Sequence, residues 1–342
     1  MTDRVALLVD LARRLEACSD PLGQRARADV IADGGLSPEM ADRVLVTAAR
    51  RYTSASLRAL VHGALVGRTV YVVLAASVAT APLRAVALPL LGCAQSVRIR
   101  PSRRQSALVQ SLCAESAWSS VTITDTLTPQ SGDLVVAYGS DATLREIQKS
   151  LPDGVDFEGH GHGLGIAVVG RSVDADALAR DVADHDQRGC LSPQGVYVVG
   201  NAADARAVAE ALHAAMYTQP PRGRLEAEEA ARVMQWHGRM AVGAAGLLRG
   251  PQHSVAWFDT PVRANAPGGR AIAVVPVASV AEAMNCVQPD APWLTCVGIA
   301  GLTEPVTLAQ GAMPRVVPVG TMQDPAMDGP EDPRTPWGAT PR

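Results

Sequence analysis

The clearest indication of the fold class comes from Thr69-Val70-Tyr71-Val72-Val73-Leu74-Ala75-Ala76. It is almost entirely apolar and rich in β-branched residues, which is typical of a strand covered on both faces in a parallel sheet. A helical pattern follows at Leu83–Leu88, and a second strand pattern follows at Ser96–Arg100. Strand, helix and strand in this order predict a βαβ unit.

The alternation of strand and helix continues through most of the chain. Helices are predicted at 106–116, 141–150, 174–185, 202–217, 225–249 and 280–287, and strands at 120–123, 133–138, 165–169, 195–199, 271–276 and 294–299. This spacing predicts an α/β fold with open, mostly parallel sheets, which bind ligands at the carboxyl ends of their strands. A chain of 342 residues is longer than one typical core sustains, so two domains are expected.

Changes in composition divide the chain into four regions. They are an N-terminal helical region, 1–65, a first α/β block, 66–158, a second α/β block, 159–310, and a segment rich in proline and glycine, 311–342. The break between the two blocks falls in the glycine-rich stretch Phe157–Gly165. We expect Asp324–Arg342 to be an ordered surface strap or a frayed tail.

Composition excludes several classes of protein. A hydrophobic content of 47% with 19% charged residues describes a chain that forms a core. The net charge of -3 gives no electrostatic case for binding nucleic acid or an anionic membrane, and no apolar run of about 18 residues predicts a transmembrane helix. Six cysteines without C-x-x-C spacing, and an amphipathic N-terminus unlike a signal peptide, predict a cytoplasmic protein.

One of the six cysteines lies where chemistry is expected. Cys190 falls in Asp186-Gln187-Arg188-Gly189-Cys190-Leu191-Ser192-Pro193-Gln194, between a predicted helix and a buried strand. A loop in this position presents backbone and side chain to a ligand. The alternative is a buried and inert thiol, which is how most free cysteines behave.

Cations and a hydroxyl follow the strand that ends near Arg100. They are Arg100, Ser102, Arg103 and Arg104. Guanidinium groups bind phosphate through paired hydrogen bonds, so a nucleotide phosphate would suit this loop. The alternative is an ordinary charged surface loop.

A second polar turn, Gly139-Ser140-Asp141, follows the strand at 133–138 and opens a helix. Glycine permits the close approach of a ligand, and a helix N-terminus offers N–H groups to a phosphate or a polar ring. The alternative is a helix N-cap in an ordinary turn. Neither a G-x-G-x-x-G sequence nor a P-loop is present.

The segment Glu158-Gly159-His160-Gly161-His162 invites a metal interpretation, which we do not adopt. Histidines two residues apart lack the i, i+4 spacing of a helical metal site. A glycine-hinged segment between the blocks, with Glu158 or a histidine as an acid-base group, is favoured. No metal is therefore expected.

Taken in order, four stretches resemble the aldehyde dehydrogenase superfamily, and most closely its acyl-CoA reductase branch, the fatty-acid reductase family of bacterial bioluminescence. The stretches are Gly92–Arg100, Val135–Asp141, Leu178–Gln194 with Cys190 in its centre, and Arg315–Gly320 with Asp328–Pro330. The likeness covers about residues 65 to 335.

The resemblance implies that 66–158 is a Rossmann-like nicotinamide cofactor domain, that 159–310 is the catalytic cysteine domain, and that 311–342 is a strap returning to the cofactor domain or a tail. Cys190 would attack an acyl thioester, from acyl-CoA or an acyl-carrier protein, and the acyl-enzyme would be reduced to an aldehyde. Arg100, Ser102, Arg103, Gly139 and Ser140 would hold the cofactor. A homo-oligomer is left open.

Three positions depart from or extend the family pattern. Ser77 stands where the superfamily commonly places the asparagine of the oxyanion hole. Glu158 matches the deacylating glutamate by its spacing to Cys190, and Asn265-Ala266-Pro267 replaces the glutamate that usually holds the nicotinamide ribose.

Cofactor choice follows from charge. Dehydrogenases of this kind that prefer NAD often hold the ribose with a carboxylate, whereas Arg100, Arg103 and Arg104 offer cations to a 2′-phosphate. We therefore expect NADPH, with NADH less favoured, and a thiolate at Cys190 whose pKa is lowered by loop N–H groups or by Arg188. The alternatives are an aldehyde or acyl-phosphate dehydrogenase that uses the same cysteine, and a scaffold that has lost activity.

Overall fold

The computed structural model describes residues 2–306, 308 and 314–327. The described residues form two compact units. The first comprises 2–162 with 326 and 327, and the second comprises 163–306, 308 and 314–325. The chain passes from one unit to the other between His162 and Gly163, inside the glycine-rich stretch.

The first unit begins with four helices, three of which have capping residues at their N-termini. They are α1 Thr2–Glu16, α2 Pro21–Ala32, α3 Pro38–Arg50 and α4 Ser54–Ala59. Asp20, Ser37 and Thr53 cap α2, α3 and α4, each accepting a hydrogen bond from a backbone N–H of the first turn. Leu8, Leu22 and Leu45 lie on the buried sides of this layer.

A five-stranded parallel sheet, sheet A, completes the first unit. Its strands are β1 Thr69–Val73, β2 Ser96–Arg100, β3 Val121–Ile123, β4 Leu134–Tyr138 and β5 Asp156–His160, in the order β3-β2-β1-β4-β5. The connecting helices are α5 Ala81–Leu91, α6 Ser106–Cys113 and α7 Asp141–Ser150. The stretch quoted first forms the central strand β1, whose last four residues are buried.

The second unit contains a seven-stranded sheet, sheet B, in the order β12-β11-β6-β7-β10-β9-β8. Its strands are β6 Leu164–Gly170, β7 Pro193–Val199, β8 Gly246–Arg249, β9 Ser254–Trp257, β10 Ala271–Val277, β11 Leu294–Ala300 and β12 Arg315–Pro318. Its helices are α8 Ala175–Ala183, α9 Ala202–Ala215, α10 Ala227–Gly243 and α11 Val280–Val287. All strand pairs are parallel except β8 with β9.

The structure confirms the α/β fold and most predicted elements, and it corrects several. The helix predicted for 225–249 is wrong at its end, because Gly246–Arg249 forms an antiparallel strand with Ser254–Trp257. The first part of the glycine-rich stretch lies in a strand that was not predicted, since Asp156–His160 pairs with β4. The resemblance at Asp328–Pro330 and most of the expected strap, 328–342, lie outside the described residues.

Within the described part of the chain, no helix combines the length and apolar character needed to cross a membrane.

Candidate active-site residues

Cys190 lies in a tight turn between α8 and β7, and its side chain is exposed. Ser192 N donates to Gly189 O at 3.2 Å, which closes the turn. The alternative of a buried thiol is therefore wrong for Cys190, whereas it holds for Cys296, which is fully buried and whose pKa burial raises to about 12. All six cysteines are free thiols.

The turn rests directly on the first residues of β6, and two glycines make this approach possible. A Cβ on Gly163 would stand 2.5 Å from Cys190 Cβ and 2.6 Å from Thr295 Cγ2. A Cβ on Gly165 would stand 2.6 Å from Leu191 O. Such distances are too short for real side chains, so glycine at both positions is a packing requirement of the cysteine turn.

Thr295, on the neighbouring strand β11, holds the turn by a hydrogen bond to its backbone. Its buried hydroxyl lies 2.7 Å from Cys190 O and 3.0 Å from Leu164 O. Cys190 is thereby fastened to two internal strands of sheet B, β11 and β6. Thr295 is 105 residues from Cys190 in the chain, and no pattern in the sequence connects them.

Three consecutive residues, beginning two positions after the end of α8, adopt a left-handed backbone. His185, Asp186 and Gln187 have φ angles of 55°, 54° and 61°. Each left-handed non-glycine residue costs on the order of 1 kcal/mol or more, so surrounding contacts must hold this segment. All three residues are buried.

Those contacts are polar and buried. Asp186 is fully buried and accepts from Arg270 Nη2 at 2.7 Å and from Gly223 N at 3.0 Å. Gln187 Nε2 donates to Pro193 O and to Ala271 O, both at 2.8 Å. No pattern in the sequence connects Asp186 with Arg270, which are 84 residues apart.

Arg188, two residues before the cysteine, is bound by an acidic side chain. Its Nε and Nη2 form two hydrogen bonds, at 2.9 and 3.1 Å, with the carboxylate of Glu229 on α10, and Nη2 also donates to Arg224 O at 2.7 Å. The expectation that Arg188 or the loop N–H groups lower the pKa of Cys190 stays a prediction.

Asp181, on the buried side of α8, holds the C-terminal segment of the second unit. Its carboxylate accepts from Gly320 N at 2.5 Å and from Met322 N at 3.0 Å. Gln323 Nε2 donates to Ser192 Oγ, two residues after the cysteine. Burial raises the pKa of Asp181 to about 7, although the two backbone hydrogen bonds act in the opposite direction.

In the first unit, Ser77, predicted for the oxyanion hole, and the predicted cofactor residues Ser102 and Gly139 lie at the carboxyl ends of adjacent strands. Ser77 is half-buried in the loop after β1, Ser102 is half-buried in the loop after β2, and Gly139 follows β4. In the strand order of sheet A, β2 and β4 lie on opposite sides of β1, so the topology switches direction between β1 and β4. Open α/β sheets bind ligands at such a switch point.

One side chain ties two of these loops together. Gln105 is fully buried, and its Nε2 donates to Ala75 O and to Val78 O, both at 2.9 Å. Its Oε1 accepts from Ser102 N at 3.1 Å and also from the Ser102 hydroxyl. Gln105 therefore sets the position of the Ser77 loop relative to the loop that carries Ser102.

The three arginines of this loop separate into two groups. Arg100 and Arg103 are exposed. Arg104 is only 4% exposed, and its Nη1 donates to Gly34 O at 3.1 Å. The expectation that Arg104 offers a cation to a phosphate is wrong, because its guanidinium is used to anchor the N-terminal helices.

Ser140 has the ordinary role that we considered as an alternative. It caps α7, and its hydroxyl accepts from Thr143 N at 3.2 Å. Gly139 N donates to His160 O on the neighbouring strand at 3.1 Å. Neither residue has a contact that tests a role in cofactor binding.

Glu158 and His160 share one face of β5. His160 Nε2 lies 3.4 Å from Glu158 Oε1, and the imidazole stacks on the Tyr138 ring with centroids 4.6 Å apart. A carboxylate beside an imidazole is an arrangement that can hold or move a proton. Among the described residues, no group of three or more His, Cys, Asp or Glu side chains is arranged to bind a metal ion.

The stretch expected to replace the ribose-binding glutamate supplies no carboxylate. Asn265 is exposed, and Ala266 is buried in the hydrophobic core of the second unit.

The substitution Gly163→Ala tests the packing of the cysteine turn. The added methyl group must displace Cys190 or Thr295, so we expect the rate of Cys190 alkylation by iodoacetamide to change by about tenfold or more. Peptide mass mapping would give the rate at this thiol alone. Gly238→Ala is the matched control, because a Cβ there meets nothing within 4 Å. Unchanged alkylation in Gly163→Ala would contradict the packing argument.

The raised pKa of Asp181 predicts a pH dependence of stability. Between its ordinary value of 3.8 and about 7, the folded chain binds more protons at Asp181 than the unfolded chain, so the contribution to stability falls as pH rises. In urea unfolding, the advantage of wild type over Asp181→Asn should be larger at pH 5 than at pH 8, by on the order of 2 kcal/mol. Asp176→Asn, at an exposed position of α8, should show no such change. An equal difference at both pH values would be incompatible with a raised pKa.

Comparison with known proteins identifies the family. Three solved structures share the fold. An NAD-dependent benzaldehyde dehydrogenase from Corynebacterium glutamicum has a TM-score of 0.67 and 16% identity, covering 88% of this chain and 77% of that chain. An NADP-dependent glyceraldehyde-3-phosphate dehydrogenase from Bacillus halodurans C-125, complexed with NADP, has a TM-score of 0.64 and 15% identity, covering 88% and 74%. An indole-3-acetaldehyde dehydrogenase complexed with NAD+ has a TM-score of 0.68 and 15% identity, covering 93% and 76%.

These likenesses confirm the predicted aldehyde dehydrogenase-like fold. Comparison with curated proteins finds no significant sequence match. The family model described as acyl-CoA reductase (LuxC) matches residues 105–333, which is more than half of the chain. The chain therefore belongs to the LuxC family of acyl-CoA reductases.

Proposed function

We propose that this protein reduces an acyl thioester, carried by CoA or by an acyl-carrier protein, to an aldehyde through an acyl-enzyme on Cys190, with NADPH as reductant. The observation that carries the proposal is the exposed thiol of Cys190 on a turn fixed to sheet B, in a chain of the acyl-CoA reductase family. A thiolate suits thioester exchange because the bond broken and the bond formed are of the same kind.

The chain's own residues account for most of the reaction. The Cys190 thiolate attacks the thioester carbonyl, and the carrier leaves as a thiolate that takes up a proton. A nicotinamide cofactor, when bound, supplies the hydride for reduction of the acyl group. The Cys190 thiolate then leaves from the resulting thiohemiacetal, which releases the aldehyde and restores the free thiolate. The net consumption is one hydride and one proton.

The oxyanion of the thioester carbonyl needs hydrogen-bond donors. The second unit supplies Cys190 N–H as one donor, and the family resemblance assigns a second donor to the hydroxyl of Ser77, in place of the amide that the superfamily commonly uses. One such donor is typically worth about 3 kcal/mol of transition-state stabilisation. Gln105 supports this assignment indirectly, because it holds the carbonyl groups on both sides of Ser77, at Ala75 and Val78.

The first unit offers a place that fits the cofactor. Ser77 and Gly139 lie at the carboxyl ends of β1 and β4, at the switch point of sheet A, where dinucleotides bind in open sheets of this kind. Ser102 and Ser140 would donate to or accept from the cofactor near these turns. The exposed guanidinium groups of Arg100 and Arg103 favour a 2′-phosphate, and so NADPH over NADH.

We assign acid-base work to Glu158 and His160. The carboxylate lies beside the imidazole, and both side chains are partly exposed, at 37% for Glu158 and 22% for His160. The pair can hold or release a proton. The same carboxylate supports a second candidate function, oxidation of an aldehyde with hydrolysis of the acyl-enzyme, because hydrolysis requires a base that activates water.

Formation of the acyl-enzyme can be observed without any cofactor. Incubation with an acyl-CoA should add one acyl group to the protein by intact mass, and Cys190→Ala should show no such adduct. Cys18→Ala is the matched control, since Cys18 is the other exposed thiol, and its adduct should persist. Absence of an adduct in wild type would favour the non-catalytic scaffold. An adduct that water hydrolyses faster than NADPH reduces it would favour aldehyde oxidation.

Cofactor preference tests the role of Arg103. We expect Arg103→Ala to lower kcat/KM for NADPH by roughly tenfold to a hundredfold, since a charge-assisted hydrogen bond is worth about 1.5–3 kcal/mol, and to leave the value for NADH nearly unchanged. Arg58→Ala, at an exposed arginine of α4, should change neither value. Comparable turnover with both cofactors in wild type would argue against the assignment.

A further inference from the structure

We infer that the buried pair Asp186–Arg270 positions Cys190 for reaction, and that its main effect is on the rate of chemistry at the thiol and much less on substrate binding. The inference rests on the proposed function for the role of Cys190. Neither residue touches the thiol in the structure, so both are positioning residues. The argument comes from the backbone that leads to the cysteine and from the places where it is fastened.

Two left-handed segments meet at this pair. One is His185–Gln187, with φ angles between 54° and 61°. The other is Gly268-Gly269-Arg270, with φ angles of 83°, 67° and 65°, directly before β10. A Cβ on Gly268 would lie 3.3 Å from Gln187 O, so the two backbones are in close contact. The ion pair joins the last residue of the second segment to the middle residue of the first.

Arg270 also reaches a third segment. Its Nη1 donates to Pro220 O at 2.7 Å, and its Nη2 donates to Asp186 Oδ1 at 2.7 Å. Asp186 Oδ2 accepts from Gly223 N at 3.0 Å. One buried ion pair therefore holds together the segment that leads to the cysteine, the 220–223 connection before α10, and the turn that opens β10.

The chain between the pair and the cysteine is short and fastened at almost every residue. Gln187 donates to carbonyl groups of β7 and β10, and Arg188 is bound by Glu229. On the far side, Thr295 lies within hydrogen-bond distance of Cys190 O. Only Gly189 has no side chain to anchor it. A displacement of Asp186 would therefore also displace Cys190.

An ion pair is a poor means of gaining stability in this place. Removing two charges from water costs about as much as their attraction returns, and apolar side chains of similar volume often stabilise a core better. Directional, charge-assisted hydrogen bonds do fix geometry closely. Both side chains are at most 2% exposed, so the pair is well suited to fix the position of the segment before the nucleophile.

The test compares Asp186→Asn, Arg270→Lys and the double variant with wild type. Asp186→Asn keeps the shape of the side chain and removes its charge, and Arg270→Lys keeps the charge and removes the second set of donors. A displacement of about 1 Å at a reacting atom can cost up to a hundredfold in rate. We expect each single variant to lower kcat by about tenfold to a hundredfold, with KM for the acyl thioester within about threefold of wild type.

The two substitutions break the same interaction, so the double variant should lose about as much rate as either single variant. Asp290→Asn is the matched control, because Asp290 and Arg263 form another hydrogen-bonded ion pair of the second unit. In that pair Arg263 Nε donates to Asp290 Oδ2 at 2.7 Å. It should keep the wild-type kcat and KM. Circular dichroism and urea midpoints would establish that each compared variant is folded.

The rate at which iodoacetamide alkylates Cys190, measured across pH by peptide mass mapping, separates this inference from the proposed function. Altered alkylation rates in folded Asp186→Asn or Arg270→Lys support the inference, even if wild type reduces no thioester. The inference is overturned if folded variants are alkylated at the wild-type rate and turn over within twofold of wild type. It is overturned equally if the substitutions raise KM alone, or if their losses simply add. Should Asp186→Asn fail to fold, Arg270→Lys decides the question.

Discussion

The missing side chain of Gly163 is the constraint on which the candidate nucleophile depends. Cys190 packs so closely on the first residue of the second unit that a single methyl group would not fit between them. Because β6 follows at once from Leu164, this contact fastens a loop residue to the middle of a seven-stranded sheet. A reactive group held on a rigid element keeps its geometry better than one on a free loop.

The same contact explains the composition of the stretch between the two units. Glycines at 163 and 165 are required by the turn that contains Cys190, Leu191 and Ser192, even though that turn comes 25 or more residues later in the chain. Gly161 has a different neighbour, the Asp141 side chain of the first unit. The glycines therefore serve packing on both sides of the crossing, in addition to any flexibility that they allow.

Two buried aspartates support the cysteine turn by different physical means. Asp186 faces a guanidinium, which compensates its charge directly. Asp181 faces two backbone N–H groups and no guanidinium at hydrogen-bond distance among the contacts described, so burial prevails and its pKa rises to about 7. One support is an ion pair, and the other is a carboxyl group whose raised pKa places its change of charge near neutral pH.

Features that depend on neighbouring residues in the chain can be predicted from the sequence, whereas features that depend on contacts between distant strands cannot. The central strands β1 and β10 are buried on both faces, and a continuous apolar run is enough to identify them. The edge strands β8 and β12 are short and only partly buried, so they lack that pattern. Cys190 was identified because its position between a helix and a strand is local, whereas its partners Thr295 and Arg270 come from distant strands.

The neighbouring residues Arg103 and Arg104 show most clearly what the sequence cannot predict about the role of a side chain. They are identical in type and adjacent in the loop after β2, so composition and spacing assign them the same role. In the fold, Arg103 is exposed in the loop at the carboxyl edge of sheet A, whereas Arg104 is buried and donates to Gly34 O, in the turn between α2 and α3. That difference is decided by helices α1–α4, which add little to the family resemblance. The sequence shows that a charged residue is present. Whether that charge is available to a ligand depends on whether a distant backbone group of the fold accepts its hydrogen bonds.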